Sequence, residues 1–252
     1  MYSEETVPKL VADTDEDQES VNAPEDNESS AFSEKNVRLG FIRKVYGTLL
    51  CQFLVTILVM VMFLYIKSLK RYSRHNEWIW ITALVVWILT VILFAFYEDT
   101  RRHFPHNMIF LGIFTLCLSV LLGAVASHYD EEAVLLAAGI TAGVCFGLVI
   151  FSFQTKFDFT MSAGFLFVSL NVLIEFGFFA IILNKEVLSV FLASLGALLF
   201  SIYFVIDIQF MLGGKHKYSL SPEDYIFASL NLYLDGVILF FHILSIVREA
   251  KK

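Results

Sequence analysis

From Phe41 onward the chain is a succession of seven apolar runs, at approximately 45–66, 78–97, 108–127, 133–153, 159–183, 187–212 and 225–247. Each is close to the roughly 20 residues that a helix needs to cross about 30 Å of hydrocarbon. Lipid offers no hydrogen bonds to an exposed backbone, so runs of this kind must be helical. The connections are short and polar (KSLKRYSRHNE, YEDTRRHFPHN, SHYDEE, QTKFDF, NKE and GGKHKYSLSPED), which makes sequential helices antiparallel neighbours. The expectation is an all-α integral membrane protein, a bundle of seven transmembrane helices over residues 37–252. Composition agrees: 57% of the 252 residues are apolar and 15% aromatic, too greasy for a soluble domain.

The formal charge of −7 is concentrated at one end. Residues 1–34 hold eleven acids and one base, Lys9, for a net of −10, which leaves the other 218 residues at +3. Few apolar residues punctuate that stretch, so residues 1–36 read as a disordered acidic cytosolic tail. The tail lacks the basic start and apolar core of a signal peptide and reads as retained. Outside it, Lys and Arg divide nine to eight between the two sides of the membrane, so their count sets no orientation. An acidic tail is easier to leave in the cytosol than to translocate, and seven crossings would then put the C-terminus across the membrane. Cys51, Cys117 and Cys145 all fall in apolar runs without CxxC spacing, and read as buried, inert thiols.

Within the seven runs there is no Lys or Arg, and only three acids occur: Glu175, Asp207 and Asp235. An Asp near the middle of a membrane helix costs about 2.5–3.5 kcal/mol on insertion scales, so the two aspartates need a shared proton, a cation, a basic partner or trapped water. Polar neighbours stand one turn before each acid: Asn171 before Glu175, Tyr203 before Asp207 and Asn231 before Asp235. His242 continues the stripe beyond Asp235. Such stripes also serve as glue between helices, which is the plainer reading of the two asparagines. Between the last two runs, Gly213 and Gly214 can end one helix, while Ser221 and Pro222 can cap and start the next. Asp207 and Asp235 each lie fourteen residues from Ser221, so they stand level only if the linker climbs about as far as the first turns of the last helix. If level, the two carboxylates cannot both ionise cheaply and titrate in two macroscopic steps.

These residues carry a resemblance. The strings VRLGFIRKVYGTLLCQ (37–52), RRHFPHN (101–107), AAGITAGVCFGLVIFSFQTKFDFT (137–160) and ASLGALLFS (193–201), with YFVIDIQFMLGG and LSPEDYIFASLNLYLD, resemble the transmembrane Bax-inhibitor-motif family. Within it they resemble the lifeguard branch, to which the glutamate-receptor-associated proteins belong. The resemblance implies a central helix wrapped by six others, a calcium leak across intracellular membranes, and suppression of cell death. It implies that Asp207 and Asp235 are the family's paired aspartates, whose protonation controls opening, and that Arg101 or Arg102 corresponds to an arginine that partners them. Glu175, Asn171, Tyr203, Asn231 and His242 are further supporting candidates. Three departures stand out: Gly236 follows the second aspartate where a bulky aliphatic is usual, Glu175 is an extra acid, and the acidic tail replaces a Pro- and Tyr-rich leader.

The implied function is a pH-sensitive calcium leak of the endoplasmic reticulum or Golgi, with the plasma membrane or endosome as other locations. It needs no cofactor, with Ca²⁺ as the transported ion held by Asp207 and Asp235. Its partners are the bilayer, calcium, and Bcl-2-type or death-receptor proteins, with no nucleic acid. Two other classes compete. One is a non-conducting adaptor that restrains cell death through protein partners. The other is an intramembrane aspartyl protease of the presenilin kind, but LYLDGV stands where GxGD belongs and no PAL tripeptide occurs, so the expectation is not an enzyme.

Overall fold

The structure, a computed structural model, describes residues 23–76, 78–96, 105–183, 186–213 and 220–251. The chain falls into two compact units, Met1–Gly40 and Phe41–Lys252. The helices in chain order are α1 (Ala23–Tyr65), α2 (Lys67–His75), α3 (Trp78–Phe96), α4 (His106–Ala126), α5 (Glu131–Gln154), α6 (Ala163–Leu183), α7 (Glu186–Leu212) and α8 (Tyr225–Ala250). Short 3₁₀ turns at Phe159–Ser162 and Pro222–Asp224 precede α6 and α8. Among the described residues there is no strand.

Each of the seven apolar runs falls on one of the longer helices, and α2 is an additional short helix made from the basic connection KSLKRYSRH. Five helical stretches are long and apolar enough to cross a membrane: Asn36–Tyr65, His106–Ala126, Glu131–Gln154, Val187–Leu212 and Tyr225–Ala250. A sixth results if α2 and α3 form one bent span, while the apolar stretch of α6, Gly164–Phe178, is shorter. Two expectations need correction. Residues 23–36, part of the stretch expected to be disordered, are helical and run into α1. Cys51, expected to be buried, is exposed on α1, while Cys117 and Cys145 are partly buried; all three are free thiols.

Within Phe41–Lys252, α8 is the most buried of the five candidate spans and packs against α7, α5 and α4. Its buried side of Ile226, Leu232, Tyr233, Val237 and Leu244 joins Phe114 and Leu118 of α4, Val134 of α5 and Ile208 of α7 in one core. A smaller core of Leu166, Leu199 and Ile206 joins α6 to α7. Large apolar side chains elsewhere face outward, among them Leu50, Leu54 and Leu58 of α1 and Phe165 and Phe167 of α6. An apolar surface this extensive suits lipid rather than water.

Both faces of the bundle are fastened by polar contacts. At one, the Lys44 ammonium lies over the Tyr225 ring, 5.4 Å from its centroid, and Asn107 donates to the Tyr225 hydroxyl at 3.4 Å. The starts of α4 and α8 therefore meet α1 here. At the other, Lys70 pairs with Glu131 and Lys251 with Glu132, each at 3.0 Å. Arg74 Nε donates to the Ser127 carbonyl at 2.7 Å, and the Arg248 guanidinium covers Tyr129. Glu131 and Glu132 open α5, where acids complement the dipole, so the same two residues start a helix and gather α2 and the end of α8 around it.

Candidate functional site

The two membrane aspartates come together. Asp207 lies on α7 and Asp235 on α8, and their carboxyl groups interact side chain to side chain. Asp235 is 8% exposed, and its Oδ2 is buried without a hydrogen-bond partner. The hairpin explains how residues unequally spaced from the helix ends can face one another. Gly213 takes φ 60°, a left-handed conformation that ends α7, with its N–H donating to the Gln209 carbonyl. The returning chain then pairs with the last turn of α7, Leu220 N–H donating to the Phe210 carbonyl at 2.9 Å. Ser221 caps the next turn, accepting from Glu223 N–H, and Pro222–Asp224 adds a 3₁₀ turn before α8 begins. That turn supplies the climb which brings Asp235 level with Asp207.

The surrounding residues hold this geometry. Gly236 follows Asp235, and a Cβ placed on it would stand 2.7 Å from the Phe53 ring of α1. The bulky residue expected at 236 would collide with that ring, so the glycine is matched to Phe53, which also meets Tyr233 edge-on with centroids 5.5 Å apart. Tyr203, half-buried one turn before Asp207, is within electrostatic reach of both carboxyls, and Cys145 of α5 is within reach of Asp235. On the other side of α7, buried Gln209 holds the α5–α6 connection: Phe159 N–H donates to its Oε1 and its Nε2 donates to the Phe157 carbonyl, both at 2.9 Å.

The remaining sequence candidates divide. Asn231 is half-buried on α8. His242 sits farther along that helix, its imidazole against Gly196 and stacked on Phe200 with centroids 5.8 Å apart, so it packs α8 on α7 beyond the dyad. Asn171 and Glu175 are exposed on α6, and Asn171 Nδ2 donates to the Phe167 carbonyl of its own helix. Neither joins the dyad: Leu170 and Leu173 take the side of α6 that packs on α7, and the two polar side chains are left on its exposed surface. Arg101 and Arg102 lie outside the described residues.

A second buried polar group escaped the sequence reading. Thr56 of α1 donates to the Gln52 carbonyl, and its Oγ1 lies 2.7 Å from the Tyr233 hydroxyl of α8 and 2.9 Å from Ser119 Oγ of α4. Gln52 Nε2 donates to Thr115 Oγ1 at 3.1 Å, and Ser119 Oγ donates to the Thr115 carbonyl. The signal was present, since Gln52 with Thr56 and Thr115 with Ser119 are i, i+4 polar pairs in apolar helices, the spacing that drew attention to the acids. Tyr233 ties this group to the helix that carries Asp235, two residues on.

As a cation site the dyad is open-handed. Two carboxylates offer at most four oxygens, whereas calcium takes six to eight at about 2.3–2.6 Å. Among the described residues, no cluster of three or more His, Cys, Asp or Glu side chains could hold a metal ion. A passing cation that keeps part of its water fits this better than a tightly held one.

Helical spans around a buried acid pair define a polytopic membrane protein whose costly charges sit where two helices meet. Residues 38–252 match the Bax1-I family, described as inhibitor of apoptosis-promoting Bax1, and the chain belongs to it. It is similar to Protein lifeguard 3 of Mus musculus, 35% identical over 220 residues that cover 86% of this chain and 71% of that protein. Protein lifeguard 3 of Homo sapiens is 34% identical over 222 residues, covering 86% and 71%. Protein lifeguard 4 of Mus musculus is 34% identical over 223 residues, covering 88% of this chain and 90% of the relative.

Proposed function

We propose that this protein is a pH-sensitive calcium leak of an intracellular membrane, endoplasmic reticulum or Golgi, and that by this route it restrains apoptosis. The observation that carries the reading is the side-chain pairing of Asp207 with Asp235 between α7 and α8, with Asp235 Oδ2 buried and unpartnered. A carboxyl pair that shares a proton is a latch: it joins two helices and presents little charge to a cation. Loss of that proton as pH rises makes two like charges adjacent in a low-dielectric site, which loosens the latch and attracts a divalent ion. Calcium and protons thus compete for one place, and conduction is lowest where the proton is held.

Seven crossings suit this reading. The end of α1 meets α5 through α2, and the end of α8 meets the same turn of α5 through Lys251. The start of α1 in this unit and the end of α8 accordingly lie at opposite faces, where an odd number of crossings would leave them. The family description favours a role in restraining cell death, and Bcl-2-type or death-receptor proteins are the partners that a non-conducting adaptor would engage.

The test is calcium flux from liposomes containing only the purified chain. Flux should rise with pH between about 6 and 8, and Asp207→Asn and Asp235→Asn should each lose most of that dependence. Glu175→Gln should keep it, because Glu175 is exposed on α6 away from the pair. A protein that passes no calcium across that range favours the adaptor. A full pH response in both Asp variants removes the dyad from the mechanism.

A further inference from the structure

We propose that the cleft between α1 and α4 is a binding site for an anionic phospholipid, seated with its phosphate at Arg43 and Lys44. The cleft has a volume of about 670 Å³ and runs from those two cations past Gly47 and Gly112 to Gln52 and Val55. Gly47 and Gly112 are exposed, and the space where either would carry a Cβ is empty to 4 Å, so the missing side chains of α1 and α4 form the trough. Its walls are otherwise mostly apolar, with Leu116 and Met108 facing outward beside it. The cleft therefore opens sideways onto the lipid-facing surface.

Length and charge select the occupant. Twelve residues of helix separate Arg43 from Val55, about 18 Å of rise. That matches the roughly 15 Å depth of one leaflet's hydrocarbon, half of the 30 Å core. Any groove at this depth is filled by an acyl chain; what discriminates between lipids is the mouth. Arg43 and Lys44 are both exposed, and among the described residues neither is paired with an acid. Lys44 is held by the Tyr225 ring, which fixes the ammonium at the mouth without neutralising it. Arg43 beside it supplies the planar fork that suits a phosphate. A zwitterionic headgroup gains little from two cations, whereas an anionic one gains from both.

Native mass spectrometry of the full chain in detergent, titrated with dioleoylphosphatidylglycerol or dioleoylphosphatidylcholine, reads this directly. One phosphatidylglycerol should be retained in preference to phosphatidylcholine. Arg43→Ala/Lys44→Ala should weaken it roughly 10- to 30-fold. Gly112→Leu, which fills the trough without touching charge, should weaken it comparably. Lys67→Ala/Arg71→Ala removes two exposed cations elsewhere and should leave it unchanged. Thermal unfolding of each variant in lipid-free detergent separates lost binding from lost fold; should Gly112→Leu unfold, Gly112→Ala, a smaller plug, takes its place. Equal retention of both lipids, an equal loss in the Lys67/Arg71 control, unchanged binding in a folded trough variant, or full displacement by inorganic phosphate would each overturn the proposal.

Discussion

Gly236→Ala is the sharpest probe of the packing around the dyad, because it adds one methyl where the structure leaves no room for it. The new Cβ would lie 2.7 Å from Phe53 Cζ and 3.3 Å from Cε1. Carbon atoms rest at about 3.5–4.0 Å, so ring or helix must yield by about 1 Å. The Phe53 ring is also engaged with Tyr233, which restricts its retreat. Overpacking of this kind costs about 1–3 kcal/mol. The intrinsic effect of Gly→Ala in a helix runs the other way, favouring the variant by about 0.8–1.0 kcal/mol. Replacing Phe53 by Leu removes the ring tip, so on that background Gly236→Ala should be neutral or stabilising. The double-mutant cycle should therefore return a coupling of more than about 1 kcal/mol between Phe53 and Gly236, measured by reversible unfolding in mixed micelles. If Gly236→Ala stabilises equally in both backgrounds, α1 does not press on α8 beside Asp235, and the account of the glycine is wrong.

Gln209→Leu strips the partners from Phe159 N–H and the Phe157 carbonyl, each of which costs about 1–3 kcal/mol if left buried and unpaired; a fall in stability with faster hydrogen exchange at Phe159 is expected, and unchanged exchange would refute the clamp. Tyr233→Phe removes only the hydroxyl 2.7 Å from Thr56 and should cost about 0.5–1.5 kcal/mol, whereas Thr56→Val, which empties the centre of the group, should cost more; the reverse order in unfolding titrations would show that Thr56 is not its hub. Lys251→Ala breaks a pair whose acid is well exposed, so its loss should stay below about 1 kcal/mol and shrink further at high salt.

The helices were readable because lipid leaves a chain few alternatives: an apolar run of about 20 residues is a helix or it is not in the bilayer. The dyad was readable for a related reason, since an acid inside such a run is conspicuous by its cost. Its geometry was not. That Asp207 and Asp235 meet depends on Leu220 folding back to Phe210 and on a 3₁₀ turn at Pro222, and turn residues alone do not fix how far a linker climbs. Glu175 shows the limit of cost as a signal, because the price of an acid says nothing about which side of its helix faces a neighbour. Thr56, Ser119 and Tyr233 show the converse: hydroxyls are cheap enough in a helix, where they can bond back to a carbonyl, that their cross-helix role is invisible until the helices are assembled. Gly236 looked like a departure from the family pattern and is one half of a contact whose other half, Phe53, lies far away in the chain.

The distribution of these contacts also determines which side of the dyad can give way. Helix α8 is held along its whole length: by Lys44 and Asn107 at Tyr225, by Thr56 at Tyr233, by Phe53 at Gly236, and by Glu132 at Lys251. Helix α7 is fastened mainly near its end, through Gln209 and through the return of Leu220 to Phe210, both on the C-terminal side of Asp207. Its first half turns Val187, Phe191, Leu195 and Leu198 outward, and those contacts with lipid are cheap to exchange for one another. Two like charges at the dyad push equally on both helices, but α8 could retreat only by breaking polar bonds on three other elements. What holds the first half of α7 to α8 is packing, His242 against Gly196 and Phe200, and not a polar bond, so α7 is the less firmly fixed of the two helices that carry the dyad.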